Sequence, residues 1–240
     1  MSSGVYSALS GSVAKMQELE VAVNNLANVG NTGFKASRVS FQSLFSDAVQ
    51  NTAAQGTNFA KTSGRFVDFS QGDVQRTGRS LDLAINGPGF FKVAGEDGFQ
   101  YTRQGNFKLD QQGNLVTAVG ELQVVNNEGP VSFPHQNVDV NHQGQVLVEG
   151  VQIGQLNLYT AENNDDFQEK GNGLWELRES ATEQAATGEI VQGCLEQSNV
   201  NAMLLTTEVI EIKRAYAAFL KTMKTYSEMG EKARQIGQIG

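Results

Sequence analysis

Residues Ser198–Gly240 read SNVNAMLLTTEVIEIKRAYAAFLKTMKTYSEMGEKARQIGQIG, and this stretch decides the fold. From Ala202 onward apolar or small residues recur at alternating steps of three and four: Ala202, Leu205, Val209, Ile212, Tyr216, Phe219, Met223 and Tyr226, then the weaker Gly230 and Ala233. That is an a/d seam, the narrow stripe of a helix that buries itself against another helix. Ser198-Asn199 offers oxygens to cap the first turn. Glu208 and Glu211 come early and Lys232 and Arg234 late, the order that suits the helix dipole. Glu228 and Lys232 add an i,i+4 pair. A helix of about 33 residues is roughly 50 Å long. A compact domain has no need of such a rod, so the rod needs a partner.

The partner is expected at the other end of the chain. Val5, Leu9, Ser12, Met16, Leu19, Val23 and Leu26 keep the same step, and the Asn-rich run Asn28–Asn31 with Thr32-Gly33 stops the helix in a turn. From Met1 to Phe34 only Lys15, Glu18 and Glu20 are charged. A helix with a solvated back carries more charge than this. The alternative is a frayed terminus; the favoured reading is a helix packed on several sides by neighbouring copies of the chain.

With 240 residues, the chain holds one large or two small domains. A net charge of −8 with a pI near 4.8 argues against binding nucleic acid through a basic surface. Cys194, alone, allows no internal disulfide and reads as a small buried residue, since no base is placed to activate it. No run of about 18 apolar residues exists to span a membrane, and no basic segment followed by an apolar one marks a cleaved signal at the N-terminus.

Between the ends, Phe34–Val49 alternates loosely around Phe41, Leu44 and Phe45, and Gln50–Gly64 is polar and aperiodic, a linker or irregular arm. From Leu81 to Leu177 the signals are short strands: LDLAI closed by Asn86-Gly87-Pro88-Gly89, FFKVA to the hairpin turn Asp97-Gly98, then FQYTR, NFKLD, LVTAV and ELQVV. Turn residues every 8–12 positions or so mark an antiparallel β domain. GLWEL closes it with Trp175 in the core, and Ser180–Gly188 is a polar connector. The expected fold is mixed and mainly β: a central antiparallel β domain flanked by terminal α-helices that pair as a coiled-coil-like stalk. Its parts are an axial helix and elbow over 1–34, an irregular arm over 35–74, the β domain over 75–190 and the second axial helix over 191–240.

Chemical sites are absent from this reading. Gly87-Pro88-Gly89 lacks the later Gly and Lys of a phosphate loop and is followed by strands. His135 and His142 lie seven apart with only Asp139 between them, too few ligands for zinc. Asn163–Asp166 begins like a calcium loop but has Gln168 at the sixth position. No elbow serine and no helical HExxH occurs, so no catalytic residue, cofactor or metal is assigned.

Four blocks, NNLANVGNTGFK (Asn24–Lys35), LDLAINGPGFFKV (Leu81–Val93), YTRQGNFKLDQQGNLVT (Tyr101–Thr117) and LEQSNVN (Leu195–Asn201) with KRAY (Lys213–Tyr216), resemble the bacterial flagellar rod and hook axial proteins. They follow that family's order nearly end to end. Asp68–Ile85 and the short length fit the proximal rod first and the distal rod next; the hook member carries extra outer domains that this length cannot hold. The resemblance implies a structural subunit that polymerises into a tube across the periplasm, carries torque and leaves a central export channel. It further implies export through the flagellar secretion apparatus without a cleaved signal, and copies of itself and other rod axial proteins as partners. The self-assembly residues would be Val5, Leu9, Met16, Leu19, Val23, Leu26, Leu205, Val209, Ile212, Tyr216, Phe219, Met223 and Tyr226. The elbow would be Asn24, Asn25, Asn28, Thr32, Gly33 and Phe34, with Gly33 needing a positive φ. Two other classes stay on the table: a dimeric ligand-binding β domain with a coiled-coil stalk, which requires a sizeable apolar pocket, and an enzyme, which requires convergent titratable residues.

Overall fold

Two long helices bracket nineteen strands in a computed structural model that describes residues 2–45, 58–95, 98–134 and 138–237. The chain divides into two compact units: Met1–Ala27, Ser37–Asp68 and Asn201–Gly240 form the first, and Asn28–Ala36 with Phe69–Val200 the second.

In the first unit α1 (Ser2–Ala27) and α2 (Ala202–Gly237) pack against each other and run antiparallel. The register is fixed by two glycines: a Cβ at Gly4 would come within 2.9 Å of the Tyr226 ring, and one at Gly11 within 2.7 Å of the Phe219 ring. Strands β1 (Ser37–Phe45) and β2 (Asn58–Val67) form an antiparallel hairpin with a register shift at Ser40/Phe41, and it packs on α1. The stretch 35–74, expected to be an irregular arm, thus holds paired strands. A ladder needs only backbone donors and acceptors, so the small polar residues of NFAKTSG satisfy it without an apolar period. Residues 46–57, the rest of that expected arm, lie outside the described residues.

The cap of α2 also differs from expectation. Asn201, not Ser198-Asn199, supplies it: Asn201 Oδ1 accepts hydrogen bonds from the amides of Met203 and Leu204, both at 3.1 Å. Ahead of it, within the expected helical span from 191, lie two strands.

The second unit is an antiparallel β assembly. A four-stranded sheet orders β15 (Phe167–Gly171), β16 (Leu174–Leu177), β6 (Gly98–Thr102) and β5 (Phe91–Gly95), and a three-stranded one orders β11 (Asp139–Val140), β12 (Gln145–Val148) and β13 (Val151–Gln155). Two-stranded ladders join β7 (Phe107–Leu109) to β8 (Leu115–Thr117), and β9 (Val125–Asn126) to β10 (Gly129–Pro130). β5 and β6 pair with Gly95 opposite Gly98, and Asp97 of the expected turn lies outside the described residues. The expected polar connector contains β17 (Glu183–Ala185), which pairs with β14 (Tyr159–Ala161). The last two strands, β18 (Glu189–Gln192) and β19 (Cys194–Glu196), return to pair with β4 (Leu83–Asn86) and β3 (Val74–Arg76). Leu83, Ile85, Phe91, Val93, Phe107, Leu115, Val146 and Ile190 are fully buried in one core. Trp175 is buried in a separate aromatic group, with ring centroids 5.2 Å from Phe69, while Phe69 and Phe90 stand 5.8 Å apart edge to face.

Candidate assembly surfaces

The α2 seam falls where its period places it. Leu205, Val209 and Ile212 are buried, and Tyr216, Phe219, Met223 and Tyr226 are half-buried on a helix whose other positions are mostly exposed. On α1 the residues facing α2 are small. Gly4 and Gly11 make room for Tyr226 and Phe219, and Ala8 and Ala22, on the same side of α1, are buried. The expected α1 seam divides: Val5, Leu19 and Leu26 are half-buried, whereas Leu9, Met16 and Val23 are 45%, 50% and 47% exposed. The physical reason is volume. Rings on α2 fill the space between the axes, so α1 must offer glycine and alanine there, and its large side chains turn away. With Tyr6 and Val13 they form an open apolar stripe at positions 6, 9, 13, 16 and 23, roughly opposite α2 at about 100° per residue. Met203 and Leu204, at the start of α2, are exposed too.

The elbow residues separate into two roles. In the first unit the buried Asn25 clamps the backbone after the turn: its Nδ2 donates to Ser37 O at 2.8 Å and its Oδ1 accepts from Ser37 N at 2.9 Å. Asn24 is exposed, and Asn31 Nδ2 donates to Asn28 Oδ1 at 2.7 Å. In the second unit Thr32 Oγ1 lies 3.5 Å from Asn106 Oδ1, Phe34 is buried, and Gly33 has φ +67°. Gly33 N donates to Glu196 O at 2.8 Å. A Cβ at Gly33 would meet the Arg103 carbonyl carbon at 2.4 Å, so glycine is required twice over.

A buried charge cluster lies beside it that spacing alone could not reveal. Lys35 Nζ is 2.5 Å from Glu196 Oε1, and Arg103 Nη1 is 3.2 Å from Glu196 Oε2, with all three side chains almost wholly excluded from solvent. Lys35 also donates to Ser70 O at 2.7 Å, Gly72 N donates to Glu196 Oε1 at 3.0 Å, and Arg103 Nη2 donates to Gly87 O at 3.0 Å. Burial pulls the Arg103 pKa below its usual value, and the charge and hydrogen bond of Glu196 oppose that. Asn199 Oδ1 accepts from Ala36 N at 2.8 Å. The residues therefore come from five separate stretches: NTGFKA, SQG, INGPGFF, YTRQG and LEQSNVN. The only signal in the sequence was that Lys35, Arg103 and Glu196 each sit inside one of those blocks.

Cys194 is half-buried in β19, not fully buried as expected. His142 is exposed, His135 lies outside the described residues, and Asn163 leads into a single 3-10 turn, Asn164–Asp166, in which Asp166 is half-buried. A cavity of about 460 Å³ in the second unit is lined by polar residues such as Asn127, Gln143 and Glu183 and by apolar ones such as Leu156, Leu158 and Ile190. That mixed wall is not the predominantly apolar pocket a ligand-binding β domain would require.

Comparison with known proteins sharpens this picture. Residues 84–148 match the family described as flagellar hook protein FlgE/F/G D1 domain, and residues 191–236 match the flagellar basal body rod FlgEFG protein C-terminal family. The chain is 31% identical to the flagellar basal-body rod protein FlgF of Caulobacter vibrioides, over 100% of both chains. It is 34% identical to FlgG of Bacillus subtilis, over 94% of this chain and 95% of that one. It is 28% identical to FlgF of Mesorhizobium japonicum over 99% of each.

Proposed function

The chain belongs to the flagellar basal-body rod protein family, and from that premise we propose how its two units divide the work of the rod. It is a structural subunit of the flagellar basal body, and no described helix is long and apolar enough to cross a membrane. The helix pair, α1 (Ser2–Ala27) with α2 (Ala202–Gly237), is the polymerising part, an axial stalk of coiled-coil type, and the second unit, Asn28–Ala36 with Phe69–Val200, is its wall. Assembled, the subunits form a tube that transmits torque across the periplasm and leaves a channel for later exports. The subunit itself reaches the growing end through the flagellar export apparatus without a cleaved signal. Full-length alignment with a FlgF relative favours the proximal rod; the FlgG relatives keep the distal rod as the second reading.

The observation that carries this is the open stripe of Tyr6, Leu9, Val13, Met16 and Val23 on a helix with three charges. Large apolar side chains left in water at helical spacing lose the burial that a neighbouring copy would supply. Their contacts then exist only in the polymer, and the isolated subunit should fray at both ends. Hydrogen exchange on the monomer tests this. Rapid exchange over Ser2–Lys15 and the second half of α2, with slow exchange in β4, β5 and β7, is expected. Full protection of both helices in the monomer would overturn it.

A further inference from the structure

Charge on α2 is sorted into two blocks. Between Ala202 and Ile212 the only charged residues are Glu208 and Glu211, and between Lys213 and Lys224 there are four cations, Lys213, Arg214, Lys221 and Lys224, with no carboxylate. All six are exposed. Only Lys224 makes an ion pair among the described residues, with Glu228 at 4.0 Å on the surface. Beyond it Glu228 and Glu231 are balanced by Lys232 and Arg234. At about 100° per residue the two carboxylates project to one flank of α2, Glu208 in line with Tyr226, and Lys221 and Lys224 project to the other side, roughly a quarter-turn or more apart. Each patch includes an exposed apolar side chain, Leu204 with the acidic one and Leu220 with the basic one.

Two such helices lying side by side in register would set acid against acid and base against base. A shift along the axis removes that repulsion. Glu208 to Lys221 and Glu211 to Lys224 are both thirteen positions apart, so one shift of about 20 Å aligns both pairs in parallel helices. We propose that a second copy of this chain docks along α2 in parallel, displaced by about 20 Å, with the acidic patch of one subunit on the basic patch of the next. This rests on the polymer reading above. Because the two patches lie on different sides of α2, the contact is heterologous and leaves an unused patch on each outer subunit, so it propagates. An antiparallel pair would bring Glu208 level with Lys224 and Glu211 level with Lys221, but such a two-fold contact stops at a dimer.

Carbodiimide coupling of carboxylates to lysines, on an equal mixture of ordinary and ¹⁵N-labelled full-length chain, reads the pairing directly. Mixed-isotope products joining Glu208 to Lys221 and Glu211 to Lys224 are expected, and they should fall several-fold in high salt. The variants E208K/E211K and K221E/K224E should each lose their mixed-isotope products alone, and an equal mixture of the two should regain them. Products joining Glu208 to Lys224 and Glu211 to Lys221, or no mixed-isotope product, would overturn the proposal. The polymer reading is judged separately, by whether the bacterium encoding this chain still swims once the gene is deleted. Swimming without the gene would remove that reading, whereas the wrong cross-links in a chain that restores swimming remove only the shift.

Discussion

The two units of this molecule bury their apolar residues in opposite ways. The β unit hides Phe91, Phe107, Leu83 and Ile85 completely and binds its own polar interior with the Lys35–Glu196–Arg103 cluster. The helix unit buries Ala8 and Ala22 and sets Gly4 and Gly11 against rings at its contact, and leaves Leu9, Met16 and Val23 largely in water. One is finished by its own sequence, and the other leaves a stripe that neighbours would finish in the proposed rod. Stability and assembly should therefore respond to different residues.

The largest effect is expected in the core of the β unit. Phe91→Ala removes a ring with no exposed surface that stacks edge to face on Phe107 at 5.1 Å, and should cost about 4 kcal/mol in denaturant unfolding of that unit. Next comes Glu196→Gln, which keeps the shape but removes the carboxylate charge that the buried Lys35 and Arg103 share; about 3 kcal/mol is expected. Equal loss from Glu196→Gln and Lys35→Met would show that hydrogen-bond geometry, not charge balance, holds the cluster.

Gly33→Val should cost about 2 kcal/mol or more, from a positive φ that a β-branched residue resists and from contact with the Arg103 backbone. Gly33 lies within the β unit, so the unfolding midpoint of that unit should fall. At Gly230 the sign reverses. A Cβ there meets nothing within 4 Å, because α2 runs on past the level where α1 begins. Gly230→Ala should therefore raise monomer helicity and stabilise α2 by up to about 1 kcal/mol, read by circular dichroism.

How far the sequence foretold this depended on range. The α2 seam was legible because a helix maps local spacing directly onto a face: each of Leu205, Val209 and Ile212 lies where a step of three or four puts it. The strands were legible from turn residues, and Gly113 and Gly144 do take the positive φ that such turns need. The α1 face was not, because which side of a helix turns inward is settled by the partner. Tyr226 and Phe219 demand small residues, and no period within α1 encodes that demand. The hairpin β1–β2 escaped notice because backbone pairing leaves little compositional trace in residues such as Ser, Thr and Gly. Glu196 lies 161 positions from Lys35, a distance at which chain order carries no contact information.

The smallest effect on the isolated subunit should be the most decisive for the contrast between the units. Leu9→Gln and Met16→Gln replace half-exposed side chains by a residue of nearly equal helix propensity, and neither position faces α2. Each should shift monomer stability by no more than about 0.5 kcal/mol. If a neighbouring subunit covers this stripe, each substitution also places an amide in an apolar contact that cannot satisfy it, and the penalty recurs at every subunit of the polymer. Cells producing the double variant should then make normal amounts of folded chain yet fail to swim. Undiminished swimming would mean that the stripe is exposed in the rod as well, and the helix unit would be as complete alone as the β unit is.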